Sequence, residues 1–371
     1  MISATEIKEF GRRIGLDLVR ITSADPFPAY PETVQNRLEN KLIPAESRAS
    51  EDIFKRAQFY SNPQNSLFGA KSIISIGIGY FISGHTDNTR RGHPCGVIGR
   101  HYWRDFYGEL WRRRAGLSRF LEAKGIQCSK EAYLPYKLAA QRAGVGWYGK
   151  NGLIQTEAYG SWVVLTAIVT SADVDIDEPV SADCGTCQVC IKACPTQAIV
   201  APYVVNVARC INHLTATSGS IPRELRSAIG HRINGCDRCQ EVCPNNLHAQ
   251  SVRETFPNPR PQWGTSPALV LLLDISEQEF GRSFTKLDWY EPKLQHLQRN
   301  ILVALGNIGN SNALPVLDRM LSHPEGLIRS YAAWALGKIG GGNARQALVN
   351  AYQAERETEV RKEIETALGI S

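Results

Sequence analysis

The chain has 371 residues, 43% hydrophobic and 21% charged, with 42 Lys+Arg against 36 Asp+Glu for a net charge of +6. That balance excludes a disordered chain and leaves material for two or three domains, and no apolar run approaches the ~18 residues of a transmembrane helix, so no membrane partner is expected. Residues 1–10 carry Glu6 and Glu9 in place of a signal peptide's apolar stretch, which predicts a cytoplasmic protein whose ten cysteines are poor disulfide candidates.

In chain order, residues 4–15 read as an amphipathic helix ending near Gly15, and residues 16–21 as a strand. Residues 27–64 are polar and loop-rich with helical patches. The isoleucine-rich run from Ser72 to Phe81 predicts a buried strand, a long helix follows over about 103–124, and residues 162–169 give a third strand. Strands separated by helices predict an α/β or α+β domain over residues 1–175, with the acidic segment 173–179 as a linker.

Eight of the ten cysteines fall between residues 184 and 243. Cys184, Cys187, Cys190 and Cys194, followed by Pro195, form C-x2-C-x2-C-x3-C-P, the bacterial ferredoxin run whose fourth cysteine ligates the other cluster. Cys210, Cys236, Cys239 and Cys243, the last beside Pro244, supply the remainder. Short spacings aim three thiolates at one iron–sulfur cube, while the displaced fourth reaches its neighbour. The pattern predicts one 4Fe–4S cluster on Cys184, Cys187, Cys190 and Cys243, and a second on Cys194, Cys210, Cys236 and Cys239, in a ferredoxin-like module over 176–255. Structural zinc favours separated cysteine pairs and has no use for a reciprocal ligand. The insertion 211–235 is expected to leave the cluster core and form part of a surface. Cys95 and Cys128 stay unassigned and read as small buried side chains.

The prolines at 257, 259 and 261 mark a further boundary, after which a repeat begins. Ala304-Leu305-Gly306-Asn307-Ile308-Gly309 recurs as Ala335-Leu336-Gly337-Lys338-Ile339-Gly340, and in part as Ala367-Leu368-Gly369. An apolar helix, a glycine-containing turn and a second helix in each unit predict HEAT-like α-helical repeats over 256–371, packed on the preceding domain. Residues 90–150 hold thirteen Lys/Arg against four Asp/Glu, so Arg90, Arg91, Arg100, Arg104 and Arg112–Arg114 are candidates for phosphate contacts, against the alternative of a solvated helix face. The tail is nearly neutral, and any RNA contact there falls to arginines such as Arg299 and Arg329.

Two clusters move electrons singly, so the first 175 residues must hold an acceptor or dock one. No G-x-G-x-x-G follows a strand, which leaves a nicotinamide site unsupported, and no D-x-H-x-x-G cobalamin signature is present. The glycine-rich run Gly144 to Asn151 is a weak sign of close backbone approach to a ligand. A non-catalytic two-cluster electron carrier with a partner-docking tail stays open at this point.

Gly144-Val145-Gly146-Trp147-Tyr148-Gly149-Lys150-Asn151, Tyr159-Gly160-Ser161-Trp162, Cys184-Gly185-Thr186-Cys187, Ala193-Cys194-Pro195-Thr196-Gln197-Ala198-Ile199 and the run from Gly235 to Pro244 together resemble the epoxyqueuosine reductases. Pro222–Arg226 also fits that family's insertion. The resemblance implies base-off cobalamin beside the two 4Fe–4S clusters, with Gly146, Trp147, Gly149, Lys150, Asn151, Ser161 and Arg104 as cofactor-binding candidates. It implies reduction of a tRNA-borne epoxide to queuosine, with the oxygen leaving as water. A low-potential ferredoxin or flavodoxin is the expected electron donor and a monomer the expected state. The family's catalytic Asp lies seventeen residues before the Trp of its GxGWxGK motif, and that count lands here on Lys130, beside Glu131. Glu131, Lys130 and Tyr133 are therefore the candidate proton donors. This departure, the altered segment 103–107 and the poor match over 27–64 leave a paralogue with another substrate as the second reading.

Overall fold

A computed structural model describes residues 2–44, 50–83, 93–252, 264–284 and 293–370. The chain forms two interleaved units. Met1–Ser83, Phe106–Ala208 and Arg238–Phe256 make the first, and Gly84–Asp105, Arg209–Asp237 and Pro257–Ser371 the second. The prolines at 257–261 and the arginines at 90 and 91 lie outside the described residues.

The first unit is built on a three-stranded sheet, β1 (Leu18–Ser23), β2 (Ser72–Gly79) and β3 (Val163–Thr170), with β2 in the centre. Both pairings are antiparallel, setting Ile21 opposite Ile74 and Ile74 opposite Ile168. Of the two domain classes the sequence allows, this is the α+β one. Successive strand residues point to opposite faces, so Ile74, Ile76 and Ile78 enter one core with Val164 and Ile168, while Ile73 joins Ala167 and Val169 in another. All eight residues of β2 are buried. Cores on both faces explain why isoleucines point to both sides of it and why even its two serines, Ser72 and Ser75, are buried.

To this unit belong the helices α1 (Ala4–Arg13), α2 (Ala29–Glu39), α3 (Ser50–Tyr60), α4 (Phe106–Glu122) and α5 (Tyr136–Arg142). Phe106, Leu110, Leu117 and Leu121 repeat at helical spacing along α4 and meet Ile7 of α1 over the first core. Ala139 of α5 packs with Phe27 and Leu134 in the second. Helices α2 and α3 fill the segment where the sequence showed only patches. The signal there was weak because α2 has no side-chain cap and buries only Val34.

In the second unit, Val97–Ile98 pairs in parallel with Arg232–Asn234. A short helix α6 (Val189–Ala193) belongs to the first unit. The second carries α7 (Ile211–Ala216) and α8 (Arg223–Ile229), then the repeats α9 (Leu294–Ile308), α10 (Leu314–Met320), α11 (Gly326–Ile339), α12 (Gly342–Ala354) and α13 (Thr358–Leu368). The repeated Ala-Leu-Gly has a packing origin. A Cβ on Gly306 would sit 2.9 Å from the Ala335 Cα, and one on Gly337 would sit 2.8 Å from the Ala367 Cβ, so each glycine lets the next repeat's helix close in. These glycines therefore lie inside helices, and the turn is made one step later, where Gly309 caps α9 in the left-handed conformation. Among the described residues, no helix is long and apolar enough to cross a membrane.

Candidate iron–sulfur and catalytic site

Four thiols of the first unit, those of Cys184, Cys187, Cys190 and Cys243, line one cavity of about 100 Å³. Local backbone geometry aims them. The Cys187 N–H donates to the Cys184 carbonyl at 3.0 Å, and the Gly185 N–H donates to Asp183 Oδ1 at 2.6 Å, closing a tight turn between the first two thiols. Cys190 rides on α6, and the Cys243 N–H donates to the Gln240 carbonyl at 3.2 Å just before Pro244 opens a short 3-10 turn. Burial, then the neighbouring thiols, raises the Cys190 thiol pKa, and burial also raises that of Cys243. Among the described residues, no three Cys, His, Asp or Glu side chains converge closely enough to hold a single metal ion. The four thiols line one shared space, as ligands of a single cube-shaped cluster would.

The other four cysteines come from both units. Cys194 ends α6, and its sulfur accepts from the Ala198 N–H at 3.2 Å; Cys239 lies in the short helix Arg238–Glu241. Cys210 immediately precedes α7, and Cys236 follows the strand Arg232–Asn234. The turn at Gly235, where φ is +79°, is held by its N–H donating to Thr215 Oγ1 at 3.0 Å.

The glycine-rich run of 144–151 serves the chain's own packing and then reaches the thiol cavity. Space beside Gly146 is taken by the Gln155 carbonyl, 1.9 Å from where a Cβ would stand. Lys150 Nζ donates to the carbonyls of Gly185 and Cys187, the latter at 2.9 Å, tying the run to the first cysteine loop. Lys150 and Asn151 both line the cavity, as does Gln155, which sequence reasoning missed. Trp147 Nε1 is buried without a hydrogen-bond partner among the described residues. Ser161 is spent on a buried network. Its hydroxyl and that of Tyr80 both donate to Gln240 Oε1 at 3.0 Å, and Asn246 Nδ2 donates to Ser161 Oγ at 2.9 Å. Gln240 and Asn246 flank Cys243, so this network fixes the segment that carries the fourth thiol. Both lie in or beside the motif ending at Pro244, the one signal that pointed to them. Arg104 lies half-buried in the second unit.

Lys130, Glu131 and Tyr133 are all exposed, on a loop between α4 and α5. The Tyr133 hydroxyl hydrogen-bonds to Glu131, which raises the phenol pKa. Its ring lies 5.7 Å from both Tyr60 and Phe59. The Tyr133 N–H donates to Ser66 Oγ at 2.9 Å. Beneath the loop, the buried Arg114 donates to the carbonyls of Ala167, Lys130 and Ser129 at 2.9–3.0 Å. Three of the arginines expected along a phosphate path, Arg100, Arg113 and Arg114, bind groups of the protein itself. Arg113 donates to Glu109 and the Gly15 carbonyl, and Arg100 to Asp237, which leaves the 61%-exposed Arg112 facing solvent from that triplet. The two arginines proposed for RNA contact in the tail are also engaged. Arg299 is 1% exposed and binds backbone carbonyls, while Arg329 pairs with Glu355 and Glu357.

A family model described as a 4Fe-4S double cluster binding domain matches residues 183–246, spanning all eight clustered cysteines, and one described as HEAT repeats matches 294–369. The epoxyqueuosine reductase of Bacillus anthracis is 34% identical over 376 residues, covering 98% of this chain and 96% of the relative. The chain belongs to the epoxyqueuosine reductase family. Its Escherichia coli relative is 31% identical over 90% of this chain and 89% of the relative. A structure of the Bacillus subtilis epoxyqueuosine reductase, with its catalytic loop swung out of the active site, superposes with a TM-score of 0.90 at 33% identity, covering 99% and 98% of the two chains. A crystal structure of epoxyqueuosine reductase with an epoxyqueuosine-modified tRNA stem loop gives 0.89 at 33% identity with the same coverage. As a member of this family, the chain is an oxidoreductase with two 4Fe–4S clusters.

Proposed function

We propose that this chain reduces epoxyqueuosine to queuosine in tRNA: two electrons and two protons open the epoxide, its oxygen leaves as water, and a carbon–carbon double bond remains. The observation that carries this reading is the cavity bounded by Cys184, Cys187, Cys190 and Cys243 in a chain related to epoxyqueuosine reductases along 98% of its length. Those four cysteines hold one cluster, and Cys194, Cys210, Cys236 and Cys239 hold the other. When bound, base-off cobalamin supplies the strong two-electron reductant that the epoxide requires. The unpaired, buried Trp147 N–H in the glycine-rich run is a donor free to meet that cofactor. Glu131 carries the proton for the leaving oxygen, because an alkoxide leaves poorly until it is protonated. Tyr133 orients that carboxyl through its hydroxyl, and Lys130 places a cation beside it. A low-potential ferredoxin or flavodoxin provides the electrons, and the chain works as a cytoplasmic monomer.

The test is anaerobic reconstitution, metal and corrinoid analysis, and an assay on tRNA containing epoxyqueuosine. About eight irons, bound corrinoid and conversion to queuosine are expected. Iron without corrinoid would leave an electron carrier. Both cofactors without turnover of this tRNA would leave a paralogous reductase, the reading that Lys130 at the family's aspartate position favours.

A further inference from the structure

The cavity of the first thiol set holds more than cysteines. Asn151 is 7% exposed and lines it. Its Oδ1 accepts from the Leu153 N–H at 3.2 Å, which fixes the rotation of the carboxamide. Its Nδ2 is buried with no hydrogen-bond partner among the described residues. Leaving a buried donor unpaired is costly, so a partner is expected in whatever fills the cavity. Gln155, 1% exposed and on the same wall, also carries an unpaired amide oxygen. Beside them Lys150, 8% exposed, keeps its ammonium on the carbonyls of Gly185 and Cys187, so a fixed positive charge stands against the cysteine loop.

We propose that Asn151 and Lys150 set the reduction potential of the first cluster, Asn151 by donating its free amide N–H to a cluster or cysteinyl sulfur and Lys150 by its charge. The inference rests on the assignment of Cys184, Cys187, Cys190 and Cys243 as that cluster's ligands. Reduction adds one electron to the cluster and makes or breaks no covalent bond. The extra negative charge strengthens an N–H···S hydrogen bond and its attraction to a nearby ammonium, so both groups favour the reduced state and raise the potential. Neither residue ligates iron. Both are positioning residues that act on the electron's energy.

The experiment is a dithionite titration of the full-length, anaerobically reconstituted chain, followed by electron paramagnetic resonance without tRNA or corrinoid. In Asn151→Asp the Oδ1 that accepts from Leu153 survives, while the N–H donor is lost and a negative charge is gained. We expect the first cluster's reduction equilibrium to weaken at least tenfold, a fall of about 59 mV for one electron. The second cluster's midpoint stays in place and serves as the internal reference. Lys150→Gln moves the same midpoint in the same direction. Should Asn151→Asp take up only about four irons, Asn151→Ala removes the donor without adding charge and is judged by the same fall. Unmoved midpoints in variants holding about eight irons, or both midpoints moving together, overturn the proposal. Eight irons in the wild type together with failure on tRNA would instead overturn only the substrate reading.

Discussion

The exposed Tyr133 hydroxyl meets the Glu131 carboxylate, and that contact comes first among the causes that raise the phenol pKa. A carboxylate fixed by a neighbouring hydroxyl is better placed for proton transfer than one moving freely at the surface. Glu131→Gln keeps the size and a hydrogen-bonding oxygen but removes the transferable proton. It is expected to lower turnover on epoxyqueuosine tRNA by roughly 100-fold or more, the usual contribution of a general acid. Its unfolding midpoint should match wild type, because surface changes are usually within about 0.5 kcal/mol. Undiminished turnover would remove Glu131 from the chemistry and leave Lys130 or Tyr133 as the donor. Counting back seventeen residues from Trp147 lands on Lys130, and Glu131 is a candidate only as its neighbour, since a spacing between motifs can be read without any knowledge of packing. The partners Ser66, Tyr60 and Phe59 were not legible, because nothing in one sequence says which distant loop will lie beside residue 133.

At the scale of elements, Arg112, Arg113 and Arg114 show why a charge run is a poor guide to a surface. Successive residues on an α-helix point about 100° apart, so three arginines in a row cannot share one face of α4. Arg112 faces solvent, Arg113 turns along the helix to Glu109 and the Gly15 carbonyl, and Arg114 enters the interior. There its guanidinium joins β3 to the loop of residues 129–130 through three backbone carbonyls. Arg114→Leu leaves those acceptors buried and unpaired, and is expected to cost on the order of 3 kcal/mol, read as a lowered urea midpoint. The sheet itself was legible, because β2 carries isoleucines toward both of its faces, each of which meets a core. A titratable group in α9 adds a second expectation. Burial, then Arg299 and Lys293, pushes the His296 pKa down to about 4, below its ordinary 6.5. The folded state therefore holds His296 neutral while the unfolded chain takes up a proton below 6.5, so this contribution is intact above pH 6.5 and is lost as pH falls towards 4. Thermal unfolding followed by helix signal should drop between pH 7 and pH 5 in wild type, and His296→Gln should flatten that drop. An identical fall in the variant would place the acid sensitivity elsewhere.

Across the whole chain, the repeats of the second unit act on the cysteine-bearing segment folded with them. Arg299 is pushed down to about 10, chiefly by burial, yet stays charged at neutral pH. It has no acidic partner among the described contacts. Its guanidinium donates to the carbonyls of Leu214 and Gly219 and to Asn300 Oδ1. Asn300 Nδ2 donates to the carbonyls of Thr215 and Ile233 at 2.8 and 2.9 Å, and Asn307 Nδ2 to those of Arg226 and Gly230 at 2.8 and 2.9 Å. The Tyr331 hydroxyl meets the backbone of Ile221, and Glu363 pairs with Arg226. An insertion between Cys210 and Cys236, expected from sequence to form part of a surface, is thus fastened through its carbonyls by polar side chains on α9 and α11 and through Arg226 by Glu363 of α13. The sequence hid this because Gln298-Arg299-Asn300 reads as a polar strip open to water, whereas nearly every residue of α9 is buried. Buried polar groups in a helix that packs all round must be satisfied by backbone brought to them. Arg299→Met fills the same volume but frees two carbonyls at the start of the insertion, loosening the frame that positions Cys210 and Cys236. Iron content after anaerobic reconstitution should fall from about eight towards four. The resonance signal of the first cluster, whose cysteines all lie in the other unit, should persist. Full iron with both signals unchanged would mean that the insertion holds its cysteines in place without the repeats.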